Sequence, residues 1–150
     1  MRKAIYPVLL GLALSTTAGL ATAAPKPEDD IRYRQAVFNV IGHNFGGVLN
    51  AIAKGDRPYD LATAQKTAKL LEALAPLPFD SFGPGTDQGA PNKASPRIWQ
   101  EPDKFKESAQ KFQLEVSKLY AAAGDPAALK AQVGQVGKAC KACHDDFRVK

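Results

Sequence analysis

A chain of 150 residues with 45% hydrophobic and 23% charged side chains suits one globular domain with an appended segment. That balance excludes a disordered chain, a collagen-like repeat and an acidic tail protein, and two cysteines are too few for a disulfide-dense scaffold. The formal charge of +5 is too modest for the dense basic stripe that a nucleic-acid partner would need.

The chain opens on a basic pair, Arg2 and Lys3, followed by the apolar run from Val8 to Leu14 and then small residues ending in Ala21-Thr22-Ala23. This order is that of a signal peptide with a small-x-small cleavage site. A membrane anchor needs about 20 apolar residues, and here Ser15, Thr16 and Thr17 interrupt the run. Cleavage after Ala23 divides the chain into a signal peptide, 1–23, and a mature domain, 24–150, of 127 residues. Loss of Arg2 and Lys3 lowers the formal charge from +5 to +3. The mature protein is expected to be exported to the periplasm, with no membrane segment. Its only methionine, Met1, leaves with the signal peptide.

Four amphipathic stretches follow. From about Asp29 to Ala53, residues Ile31, Arg34, Phe38, Ile41, Phe45, Val48 and Ile52 recur at steps of three and four, which defines one helix face. Gly55 and Pro58 end it. Asp60 caps a second helix with an inward face of Leu61, Ala64, Ala68, Leu71 and Ala75. Residues 76–102 hold six prolines and three glycines, with Phe79, Phe82, Ile98 and Trp99 among them. A structureless loop this long is uncommon in a compact domain, and its aromatics predict that it packs against something. A third helix starts near Asp103, turns Phe105, Ala109, Phe112, Val116 and Leu119 inward, and ends at Gly124. Asp125 and Pro126 open a fourth, with a stripe of Leu129, Val133, Val136, Cys140, Cys143 and Phe147. The predicted fold is an all-α antiparallel four-helix bundle, with the long loop between helices 2 and 3.

Chemistry concentrates near the C-terminus. Cys140-Lys141-Ala142-Cys143-His144 is a C-x-x-C-H motif, the signature of covalent haem c attachment. Cysteines three apart project from one helix face and can reach the two vinyl groups of a porphyrin edge, with the adjacent histidine directed at the iron. Competing readings are weaker. A disulfide between these positions would constrain little, and a reactive dithiol belongs at a helix N-terminus rather than near its C-terminus. A zinc site needs four ligands, and only His43 remains to complete one.

Arg34 occupies a core position, where its stem could be buried with its head in water. With Gln35 beside it, it could equally clamp haem propionates. Phe38, one turn on, suits either a core aromatic or a ring over a porphyrin. Trp99, the only tryptophan, sits in a proline-rich loop, needs something large to cover and is a candidate cofactor-binding residue. His43 points about 140° away from Phe38 and reads as a solvent histidine. Lys138, Lys141, Arg148 and Lys150 form a basic cluster around the motif, either a solvated face or a surface that steers an acidic redox partner.

The mature chain resembles the cytochromes c′, the class II c-type cytochromes. The likeness runs through Lys26-Pro27-Glu28-Asp29, Tyr33-Arg34-Gln35, Pro58-Tyr59-Asp60, Phe82-Gly83-Pro84-Gly85-Thr86, Ile98-Trp99 and Cys140 to Arg148. The resemblance implies one haem c per chain on Cys140 and Cys143, with His144 as the proximal iron ligand. It implies that Arg148 influences ligands on the proximal side, that Arg34 and Gln35 lie near the propionates, and that Phe38 crowds the distal face, where the family frequently has leucine. It further implies a homodimer through the first two helices, nitric oxide and carbon monoxide as ligands, and nitric oxide detoxification or electron transfer as the role. No turnover in the usual enzyme sense is expected. Loss of Met1 removes the usual thioether ligand of His/Met electron carriers, and so favours five-coordinate iron independently of the resemblance. The alternatives are a low-spin electron carrier with His43 or a lysine as sixth ligand, and, more remotely, a haemless thiol protein.

Overall fold

The computed structural model describes residues 26–150, so the predicted signal peptide and its cleavage site lie outside the described residues. Helix α1 begins as Pro27–Asn44, passes through a π-helical segment, Phe45–Asn50, and ends as Ala51–Lys54. Pro27 in the first turn costs no helical hydrogen bond, and Glu28, Asp29 and Asp30 complement the N-terminal dipole. Gly55 stops the helix at φ 82, a left-handed conformation that glycine adopts without a Cβ penalty.

Helix α2, Leu61–Leu74, starts on Asp60, whose carboxylate accepts the Thr63 N–H at 2.7 Å. Helix α3, Pro102–Ser117, continues into a single turn, Leu119–Ala122. Helix α4, Pro126–Phe147, opens with Asp125 accepting the Ala128 N–H at 2.7 Å and Pro126 in the first turn. The four helices form the predicted bundle. Its two short connections are tied together by the Tyr59 hydroxyl, which donates to the Ala123 carbonyl at 2.7 Å.

The core runs through Val37, Ile41, Leu49, Ile52, Ala68, Leu71, Phe112, Val116, Leu119, Leu129, Val133 and Val136. It departs from the expected stripe on α1. Val37 and Leu49 are buried, whereas Phe38, Phe45 and Val48 are half-buried. The π segment explains the second half of that shift: five-residue hydrogen-bond spacing inserts a residue into the helical count. The buried position after Ile41 therefore moves from Val48 to Leu49. On α2, Leu61 is 45% exposed rather than inward.

The long loop is more ordered than its composition suggests. Leu77–Ser81 forms a 3₁₀ turn and Arg97–Gln100 a helical turn. Further along, Ala94 pairs antiparallel with Arg148 just beyond α4. The Ser95 N–H donates to the Phe147 carbonyl at 3.0 Å and the Val149 N–H to the Lys93 carbonyl at 2.9 Å. The loop is thus fastened to the end of the helix that carries the cysteine motif.

Leu129 is 0% exposed at the centre of this packing. Leu129→Ala should cost about 2–5 kcal/mol of unfolding free energy, read from urea denaturation followed by circular dichroism. A change below 1 kcal/mol would contradict the assigned core.

Candidate functional site

Between α1, the long loop and the C-terminal half of α4 lies a cavity of about 1120 Å³. It lies just above the roughly 300–1,000 Å³ of small-molecule sites, as a large cofactor requires. Arg34, Gln35 and Phe38 enter it from α1, and Cys140, Cys143 and His144 from α4, with Arg148 following. Seven of the eight site residues singled out in the sequence therefore meet in one place. The eighth, Trp99, does not line it. The half-buried Trp99 donates its indole N–H to the carbonyls of Phe82 and Gly83, both at 3.0 Å, and packs its ring 6.4 Å from that of Phe82. Its large covered surface is the loop itself. His43 is exposed and also lies outside the lining.

An aromatic cluster forms the apolar wall. Phe38 meets Phe79 edge-to-face at 5.8 Å, and Phe79 also packs against Phe105 and Phe112. Phe105 in turn contacts Phe82 at 4.9 Å and Phe147 at 5.3 Å. All six rings line the cavity. Sequence reasoning placed Phe105, Phe112 and Phe147 on inward faces and noted Phe79 and Phe82 as loop aromatics, without assigning them to the site. The signal was their spacing of three between prolines. Lys93, also in the lining, carried none.

Arg34 is only 2% exposed, yet its charged head is not in water. Nη1 donates to the Ser81 carbonyl at 2.7 Å and the Thr86 hydroxyl at 2.9 Å. Nη2 donates to the Thr86 carbonyl at 2.7 Å and reaches the Asn92 side-chain oxygen at 3.5 Å. The guanidinium also stacks 4.2 Å above the Phe82 ring. It makes no ion pair among the described residues, and burial lowers its pKa despite the opposing fields of Asp30 and Asp87. Beside it, Gln35 donates to the Pro91 carbonyl at 2.9 Å. Both residues therefore hold the loop against α1 as well as facing the cavity.

The lining holds four cationic side chains, Arg34, Lys93, Lys141 and Arg148, and no carboxylate. Both cysteines are free and half-buried. Burial raises the Cys140 pKa, and burial with the charges of Cys140 and Asp146 pushes Cys143 up to about 11. This is the reverse of an activated dithiol. Burial, then the Arg148 charge, lowers the His144 pKa, a shift toward the neutral imidazole that ligates metals.

A four-helix bundle whose internal cavity is apolar on one wall, cationic at its edge and served by C-x-x-C-H belongs to the c-type cytochromes. A family model for cytochrome c′ matches residues 29–148. The cytochrome c′ of Rubrivivax gelatinosus is 46% identical over 127 residues, covering 83% of this chain and 98% of the relative. A crystal structure of cytochrome c′ from that organism covers the same shares at 44% identity, with a TM-score of 0.79. A nitric oxide complex and a carbon monoxide-bound form, both of variants of cytochrome c′ from Alcaligenes xylosoxidans, match at 42% identity with a TM-score of 0.77. Each covers 83% of this chain, and 97% and 98% of its own chain respectively. The chain belongs to the cytochrome c′ family, whose cofactor is covalently attached haem c. The lining fits that group: two thiols, an imidazole, an aromatic wall for a flat macrocycle and the Arg34 guanidinium for its carboxylates.

The end of α4 is braced by Arg97, which bonds Glu101 at 2.8 Å and Asp146 at 3.4 Å. Hydrogen bonds from Arg97 and Lys104 lower the Glu101 pKa from 4.5 to about 2. A depressed carboxyl pKa stabilises the fold above the unfolded value, and that contribution is lost as pH falls through the folded one. Glu101→Gln should therefore destabilise the protein at pH 7, and the difference from wild type should fade between pH 4.5 and 2. Urea titrations at several pH values check this, and a pH-independent difference would contradict the brace.

Proposed function

We propose that this chain is an exported periplasmic cytochrome c′ that binds nitric oxide, and also carbon monoxide, at five-coordinate haem iron. Residues 1–23 act as the cleaved signal peptide and 24–150 as the haem domain. No helix among the described residues is long and apolar enough to cross a membrane. The observation that carries the reading is the meeting of Cys140, Cys143 and His144 with four cations, and no carboxylate, in one aromatic-walled cavity.

In this reading Cys140 and Cys143 hold the haem by thioether bonds, and His144 ligates the iron. Bound haem supplies an iron with one free coordination position, which a π-acceptor gas can take. The remaining work belongs to the chain. Arg34 faces the propionates with a charge that no carboxylate among the described residues pairs with, and Gln35 adds a second donor at the mouth. Phe38 and its aromatic neighbours exclude water and offer an incoming ligand no hydrogen bond, which disfavours polar ligands over diatomic gases. Arg148 places a positive field beside His144.

The lining contains no carboxylate base, and its thiols are committed to the haem, so binding rather than turnover is the output. The role is nitric oxide binding and detoxification, with electron transfer to a redox partner protein as a second use of the same iron. A homodimer through α1 and α2 follows from the family, and Tyr33 at 47% and Val40 at 44% exposure give α1 an apolar outer face. The exposed placement of His43 speaks against the low-spin alternative that uses it.

A pyridine haemochrome assay should return one haem c per chain, and its absence would overturn the reading. Phe38→Ala should raise carbon monoxide affinity about tenfold or more, equivalent to about 1.4 kcal/mol, as measured by optical titration of the ferrous protein. Unchanged affinity would remove Phe38 from the ligand path. His43→Ala should leave the ferric and ferrous spectra unchanged.

A further inference from the structure

We infer that a second hollow beside His144 binds a small inorganic oxyanion, held by Lys93 and Arg148 with Lys150 at its rim. This hollow has a volume of about 390 Å³ and is formed by Lys93, His144, Asp145, Arg148, Val149 and Lys150. Phe38 and the rest of α1 take no part in it. It adjoins the larger cavity, because Lys93, His144 and Arg148 line both.

The site follows from the way the chain ends its last helix. Arg148 leaves α4 in an extended conformation, φ −126 and ψ 128, and residues 148–149 pair with residues 93–95 of the loop. The bond from the Val149 N–H to the Lys93 carbonyl and that from the Ser95 N–H to the Phe147 carbonyl fix the two backbones against each other. That pairing brings two cations distant in sequence, Lys93 and Arg148, to one concave surface, and Lys150 follows. None of the three makes an ion pair among the described residues. Asp145 is the only acidic side chain in the lining, and its carboxylate is engaged by the Lys141 ammonium. Asp146, the next carboxylate, is engaged by Arg97.

Cations that share a hollow repel one another, and an anion bridging them relieves that repulsion through charge-assisted hydrogen bonds. A concave site of this size lies at the low end of small-ligand pockets, which favours a compact oxyanion such as phosphate, nitrate or nitrite over the broad face of an acidic protein. Three exposed donors give weak, salt-sensitive binding. An anion beside His144 stabilises the oxidised form of an iron held by that residue and lowers its reduction potential. This last consequence rests on the proposed role of His144, whereas the binding itself does not.

The test uses the full holoprotein at low ionic strength and titrates inorganic phosphate by ³¹P line width, a readout that needs no haem. Saturable broadening that nitrate reverses, and that Lys93→Gln weakens about fivefold, is the expected result. Non-saturable broadening, or equal binding by Lys93→Gln, would overturn the site. A polyglutamate peptide that binds where phosphate and nitrate do not would reassign the surface to an acidic protein and equally overturn it. On the same samples the midpoint potential should fall with phosphate in the wild type and not in Lys93→Gln. Binding without that fall, in protein shown by haemochrome assay to carry haem c, would contradict the placement beside the iron ligand.

Discussion

A guanidinium that is 2% exposed and has no carboxylate within ion-pair reach among the described residues is the constraint around which this bundle is arranged. Removing such a charge from water costs several kcal/mol after relaxation. Arg34 offsets that cost with three hydrogen bonds of 2.9 Å or less, all to the loop segment 81–86, and with the face of Phe82. Bonds to a charged donor contribute about 1.5–3 kcal/mol each. The arrangement holds the loop against α1 and leaves the charge itself unneutralised. Loop order and one of the four cations that line the cavity therefore come from the same side chain.

The rest of the cavity depends on that loop. Phe79 and Phe82 belong to it, and their rings bridge α1 through Phe38, α3 through Phe105 and Phe112, and the end of α4 through Phe147 by way of Phe105. At its other end the loop is stitched to the residues after α4, next to the cysteine motif. A well-packed bundle would fill its own centre. Here the loop and the helices stand apart around a cavity of about 1120 Å³, with the fixing contacts placed at its edges.

Much of this was legible in the sequence because the signals were local. The aspartates at 60 and 125 cap the helices they precede, and the α4 stripe is buried at Leu129, Val133, Val136 and Phe147 and half-buried at the two cysteines. The C-x-x-C-H motif located the site without any knowledge of the fold. What escaped was non-local. Nothing in a periodic count signals that α1 changes its hydrogen-bond spacing at Phe45 and so buries Leu49 in place of Val48. For Arg34 the sequence leaves a head in water and a propionate clamp equally open, and carries no sign that it anchors a loop 47 to 52 residues away. Trp99 stands out by size as a cofactor-binding candidate, and only the folded loop shows that the Phe82 and Gly83 carbonyls and the Phe82 ring occupy its indole. Lys93 gains its position only through pairing with the chain end.

On the proposed reading His144 ligates the iron and the opposite side is open only to small apolar ligands, since residues 24–150 contain no methionine to close it. The optical spectrum of the ferrous protein, recorded with and without nitric oxide at neutral pH, tests it most directly. The account predicts a high-spin five-coordinate spectrum that changes on addition of nitric oxide. A low-spin six-coordinate spectrum that nitric oxide leaves unaltered would contradict it.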